Sequence, residues 1–188
     1  MRIGFDFDGV LCLTPFGRFA VHAPEAAEAI AEPPPDAAQL YEAPASHGPL
    51  RLAFEWLRFA WRTPAPDARD VLLRLAAAHE LHIVTGRSDA GRPIVERWLR
   101  REGLGACFTR VWMAPPGVSS PQHKLAVARI AGIDAHIDDD PRTAWYLARH
   151  GVKRVWLLDH ADARGEAPLP PGVELLPALA ALPEAIGA

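Results

Sequence analysis

Apolar residues along the chain fall into two alternating kinds of grouping. The first is a set of short runs rich in β-favouring residues that stop abruptly at polar punctuation: residues 1–7, closing on Asp6, Asp8 and Gly9; residues 81–85, stopping at Gly86; residues 108–113; residues 135–137, running into Asp138-Asp139-Asp140-Pro141; and residues 154–158, ending at Asp159. Continuous runs of this length bounded by turn residues predict buried strands. The second kind has helical spacing. Residues 67–79 carry Val71, Leu72, Leu75 and Ala76 on one stripe, with Asp67 placed as an N-cap. Residues 93–101 carry Ile94, Val95, Trp98 and Leu99, with Gly103 as the stop. Residues 121–130 and 141–150 each open on a first-turn proline and close before a glycine. Strands alternating with helices of this length predict an α/β fold, a Rossmann-like three-layer α/β/α arrangement around a parallel sheet.

One stretch breaks the alternation. Residues 14–64 separate the first strand from the first sheet-covering helix, far more than an ordinary connection. Two candidate helices fall inside it, 24–31 and 50–61, the second holding Phe54, Trp56, Leu57, Phe59 and Trp61. That is too apolar for a loose linker. The expected organisation is a discontinuous core of residues 1–13 and 65–188, with 14–64 as a small helical insert over one sheet edge. The tail from 165 onward reads as irregular chain and a short Leu/Ala-rich helix.

Composition narrows the function classes. With 49% hydrophobic residues, 23% charged residues and a net charge of −3, the chain has no basic field for a nucleic acid polymer and no polybasic membrane patch. No uncharged apolar run approaches the ~20 residues of a membrane span. Asp6 and Asp8 interrupt what would be the apolar part of a secretory signal. Two cysteines, Cys12 and Cys107, exclude both a disulfide scaffold and a four-cysteine zinc site. A cytoplasmic protein is expected, monomer or homodimer, whose partner is a small molecule.

The polar residues at the strand ends carry the chemistry. In a parallel sheet, Asp6 and Asp8, Thr85, and Asp138 and Asp139 come to one edge, where ligands of such sheets bind. Lys124 opens the helix before the fourth strand. Two acidic clusters brought together repel unless a cation lies between them, and all-oxygen donors select Mg²⁺ over zinc. Attack on phosphorus needs positioning and charge neutralisation more than a strong base, so Asp6 suits a nucleophile. Asp8, two residues on, suits the proton transfers to the leaving oxygen and from water. Thr85 and the Gly86 backbone suit the phosphoryl oxygens, Lys124 the developing charge, and Asp138 and Asp139 the metal. Each residue alone has an ordinary reading: a solvated turn for Asp6 and Asp8, a turn residue for Thr85, a surface lysine for Lys124, helix capping for the acids before Pro141. Arg87 could reach phosphate or face solvent, and Phe16 and Arg18 could face substrate. The ordered set of four elements is what favours chemistry.

Outside the insert, these residues resemble the haloacid dehalogenase-like hydrolase superfamily. Asp6-Phe7-Asp8-Gly9 is similar to its first motif, Ile83-Val84-Thr85-Gly86-Arg87 to its second, Lys124 to its third, and Ile137-Asp138-Asp139 to its fourth. The resemblance implies an aspartyl-phosphate route with Asp6 and Asp139 as Mg²⁺ ligands and Asp8 lending its backbone carbonyl. It also implies that residues 14–64 are a C1-type cap. The short cap and the Thr-Gly-Arg and Asp-Asp-x-Pro wording resemble the 5′-nucleotidase and deoxyribonucleotidase branch. The expected activity is thus Mg²⁺-dependent hydrolysis of a small phosphate monoester. A phosphomutase of the same fold and a receiver-like, non-catalytic module are the alternatives.

Overall fold

The computed structural model describes residues 1–13, 48–158, 169 and 171–187 of the 188. The proposed helix at 24–31 and the residues Phe16 and Arg18 lie outside the described residues. Six strands form one wholly parallel sheet: β1 (Arg2–Phe5), β4 (Glu80–Ser88), β5 (Arg110–Ala114), β6 (Ala135–Asp138), β7 (Arg154–Leu158) and β8 (Val173–Leu176). Their order is β5-β4-β1-β6-β7-β8, which puts β1 at the centre. A separate two-stranded ribbon pairs β2 (Cys12–Leu13) antiparallel with β3 (Thr63–Pro64), at the two boundaries of the long insert.

The helices are α1 (Pro49–Ala60) in the insert, then α2 (Ala68–Ala76), α3 (Arg92–Arg101), α4 (Ser120–Ala131), α5 (Pro141–Arg149) and α6 (Leu182–Ile186). Alternation along β7 shows the three layers. Trp156 and Leu158 join the core beneath α2 and α3, while Val155 and Leu157 join the core beneath α4 and α5. Strands buried on both faces need continuous apolar runs, which is why the sequence shows runs and not alternation.

The structure differs from the sequence expectation in three places. A sixth strand, β8, pairs with β7 in the stretch read as irregular tail, because Val173 and Leu176 find a sheet edge to bury against. Strand β4 does not stop at Gly86 but runs to Ser88, with its register on β5 shifting between Thr85 and Ser88. Asp67 stands at the N-cap of α2, yet its backbone is left-handed (φ 59°) and its side chain makes no capping bond. Asp140, in contrast, caps α5, accepting from the backbone N–H groups of Arg142 (3.3 Å) and Thr143 (3.2 Å) and from the Thr143 hydroxyl (2.7 Å).

Candidate active site

The site is assembled at the carboxyl edge of β1, β4 and β6. Just past β1, Asp6 is still held in the sheet, its N–H donating to the Ile137 carbonyl at 2.9 Å. The chain then turns sharply. Gly9 adopts φ 80°, and the N–H groups of Leu11 and Cys12 both donate to the Phe7 carbonyl. This turn sends Phe7 into the core, edge-on to Trp98 and stacked on Phe59, while Asp6 and Asp8 stay at the sheet edge.

Asp6, Asp138 and Asp139 each offer a carboxylate oxygen within 4.8 Å of the others. Lys124, 3% exposed, reaches from α4 and spans two of them, with Nζ 3.0 Å from Asp6 Oδ1 and 2.7 Å from Asp138 Oδ2. Gly86 allows that reach. A Cβ there would lie 2.5 Å from Ser120 Oγ and 2.6 Å from Ser120 Cβ, so only glycine lets the first turn of α4 sit this close to β4. Thr85 is buried beside it, its Oγ1 accepting from the Arg87 N–H at 3.2 Å. The resulting turn keeps the Thr85 and Gly86 backbone at the edge.

Asp138 is fully enclosed. Its Oδ2 takes Lys124 and lies 3.0 Å from His136 Nε2, and its Oδ1 accepts from the N–H groups of Asp139 and Asp140, both at 3.1 Å. Burial would raise its carboxyl, but Lys124 and His136 override that and hold it well below the usual range. With both oxygens engaged, Asp138 anchors Lys124 and the loop rather than facing a metal. Burial likewise pushes the Asp6 carboxyl up to about 7, against the pull of Lys124 and with the Asp138 and Asp8 charges adding to the rise. Lys124 is held ionised, because Asp138 and Asp6, with Asp139 behind them, outweigh its own desolvation.

Asp8 stands apart from this cluster. Arg62 Nη1 donates to its Oδ1, as does Arg87 Nη2 at 2.8 Å, and Arg87 Nε donates to its Oδ2 at 2.5 Å. Burial acts to raise the Asp8 carboxyl, and the two guanidiniums override it, holding it below the usual carboxylate range. Its side chain is directed to these guanidiniums and away from the oxygens of Asp6, Asp138 and Asp139. The resemblance implies the Asp8 backbone carbonyl, not that side chain, for the metal.

With Asp138 engaged by Lys124, His136 and the loop, the oxygens of Asp6 and Asp139 are the part of the cluster that suits a hard divalent ion. Among the described residues the cluster contains no cysteine or histidine donor.

Sequence reasoning missed Arg62 and His136. Arg62 belongs to the return from the insert and has no motif around it. His136 sits in an apolar run, and its position is visible only through Gly4, where a Cβ would lie 2.6 Å from His136 Nδ1. Arg87, which the sequence leaves open between solvent and phosphate, pairs with Asp8. Trp56 and Trp61 are both exposed, and Arg97 lies over the Trp56 ring at 5.0 Å.

No protein-family model matches the sequence, and no curated protein matches it. Solved structures do match the fold. L-2-haloacid dehalogenase from Xanthobacter autotrophicus, with chloropropionic acid covalently bound, superposes with a TM-score of 0.66 at 14% identity, over 100% of this chain and 98% of that one. A protein described as a predicted phosphatase, from Clostridium acetobutylicum, gives 0.65 at 12% identity, over 98% and 97%. A haloacid dehalogenase-like hydrolase from Streptococcus pneumoniae gives 0.61 at 13%, over 98% and 97%. The chain has the haloacid dehalogenase-like hydrolase fold.

Proposed function

We propose that this protein is a Mg²⁺-dependent phosphatase of the haloacid dehalogenase-like superfamily, hydrolysing small phosphate monoesters through Asp6. The observation that carries the reading is the clamp of Lys124 across Asp6 and Asp138, with Asp139 completing the acidic cluster. A dehalogenase needs only a nucleophilic carboxylate. Here a second acid, Asp8, follows two residues later, and it is useful only where the leaving oxygen must receive a proton.

Mg²⁺, held by Asp6 and Asp139, supplies neutralisation of charge on the phosphoryl oxygens when bound. The chain's own groups do the rest. An Asp6 oxygen attacks phosphorus in line, and the bond from phosphorus to the ester oxygen breaks. Thr85 and the Gly86 N–H orient the phosphoryl oxygens, and Lys124 balances their charge. Asp8 turns from the guanidiniums, takes up a proton from solvent once freed of them, gives it to the ester oxygen as that oxygen leaves, and as a carboxylate then takes a proton from the water that cleaves the aspartyl-phosphate. That second step returns Asp6 as a carboxylate and releases inorganic phosphate.

Purified protein with Mg²⁺ should release phosphate from an aryl phosphate, and Asp6→Asn should abolish release. Release that survives this substitution, or is indifferent to a chelator, overturns the mechanism. A panel of nucleoside monophosphates and other monoesters tests the nucleotidase branch. If nucleotides rank no better than the rest, that assignment fails.

A further inference from the structure

The pairing of Asp8 is unusual for a group asked to move protons. Its side chain is 34% exposed, whereas the guanidiniums that hold it are more enclosed, Arg62 at 6% and Arg87 at 17%. Both guanidiniums lie over one face-forming ring, that of Phe59, at 4.6 Å and 4.4 Å from its centroid. Two like charges are thus held together by a shared carboxylate and a shared aromatic floor.

The mounting is rigid. Phe59 is stacked on Phe7. The Arg62 carbonyl accepts from Trp98 Nε1 (3.2 Å) and Arg101 Nη2 (2.6 Å), and Arg101 Nη1 also reaches the Phe59 carbonyl (3.1 Å). The Arg87 backbone is tied to Thr85. The backbones that carry the fork are therefore tied to the core and to the Thr85 turn independently of Asp8. Arg62 Nε is buried without an acceptor, so Asp8 does not exhaust what the fork can bind.

When Asp8 turns to the leaving oxygen, Arg62 would be left as an enclosed charge without its anion, a state costly enough to require a replacement. The group that arrives with the substrate is the natural one. We infer that Arg62 and Arg87 form a receptor for a second acidic group on the leaving portion of the substrate, a carboxylate or its equivalent, in the seat Asp8 takes in this structure. The inference rests on the phosphatase reading, since that reading is what draws Asp8 away. It makes acid-bearing phosphate monoesters the preferred substrate class and ranks nucleosides, which carry no second acid, below them.

The test is a matched pair, 3-phosphoglycerate and glycerol 3-phosphate, which differ in a carboxylate against a hydroxymethyl group. The wild-type kcat/KM should favour the carboxylate member by at least about tenfold. That ratio should fall toward one in Arg62→Gln and Arg87→Gln, and Arg62→Lys, which keeps the charge but loses the fork, should restore it only in part. A wild-type ratio near one, with phosphate released from both, overturns the receptor and leaves the phosphatase reading standing. An equal fall on both substrates in the variants also overturns it, and assigns the fork to the reacting phosphoryl group. If neither compound is hydrolysed, the phosphatase reading is judged by the aryl phosphate assay alone. The receptor is then judged by calorimetric binding of the two compounds to Asp6→Asn protein, where no preference for the carboxylate, or one that survives Arg62→Gln, overturns it.

Discussion

Replacing Lys124 by methionine keeps most of the side chain's apolar stem and removes its charge. Nζ lies 3.0 Å from Asp6 and 2.7 Å from Asp138 in a site where the lysine is nearly fully enclosed. At an effective permittivity of about 20, each pairing is worth about 5–6 kcal/mol before desolvation is counted. Desolvating the ammonium returns several kcal/mol of that. The variant gains that desolvation back but leaves Asp6 facing Asp138 with no cation between them, and the net loss expected is about 3–5 kcal/mol. Equilibrium urea unfolding followed by tryptophan fluorescence reads it directly, because Trp98 and Trp156 are buried. Adding Asp138→Asn should return about 2 kcal/mol, since it removes the stranded charge, and the cycle isolates that coupling. A loss below about 1 kcal/mol, the worth of an exposed ion pair, would refute the clamp.

Three further outcomes follow from the same geometry. Gly86→Ala should push the first turn of α4 away from β4 and displace Lys124, lowering phosphate release by about a hundredfold with circular dichroism unchanged; unaltered turnover would contradict the close approach. Phe59→Ala should cost about 3 kcal/mol in urea, from the lost stack on Phe7 and the lost floor of the two guanidiniums, and a cost under 1 kcal/mol would show that the ring carries no load. Burial, with the Asp8 charge adding to it, pushes the Cys12 thiol up to about 12, so it stays protonated at every pH below that value. It should resist alkylation in the folded protein at pH 8 and react on unfolding; fast labelling of native protein would show that the turn after β1 opens.

Much of the architecture was legible because parallel strands buried on both faces must be apolar throughout. The runs that became β1, β4, β5, β6 and β7 could hardly be anything else once helices were found between them. Boundaries were less legible. Gly86 looked like a stop, but its role is to admit Ser120, a contact made by a helix more than thirty residues later. Strand β8 was missed because Val173-Glu174-Leu175-Leu176 is short and follows a proline-rich stretch, and only the edge of β7 makes it a strand.

By itself the sequence determined the fold class and the edge to which Asp6, Thr85 and Asp138 must come, because the side chains at the ends of parallel strands share one side of the sheet. It also set the groups its motifs bring there, carboxylates, a hydroxyl and an ammonium, and so the class of cation the carboxylates suit. What only the tertiary structure decided is how those groups divide. Asp138 is spent on Lys124, His136 and two backbone N–H groups, and Asp8 is drawn out of the acidic cluster by Arg62 and Arg87. Charge pairing acts through space over about 3 Å. Residues 54 and 79 positions away along the chain can therefore settle the state of a carboxylate that its own motif leaves open.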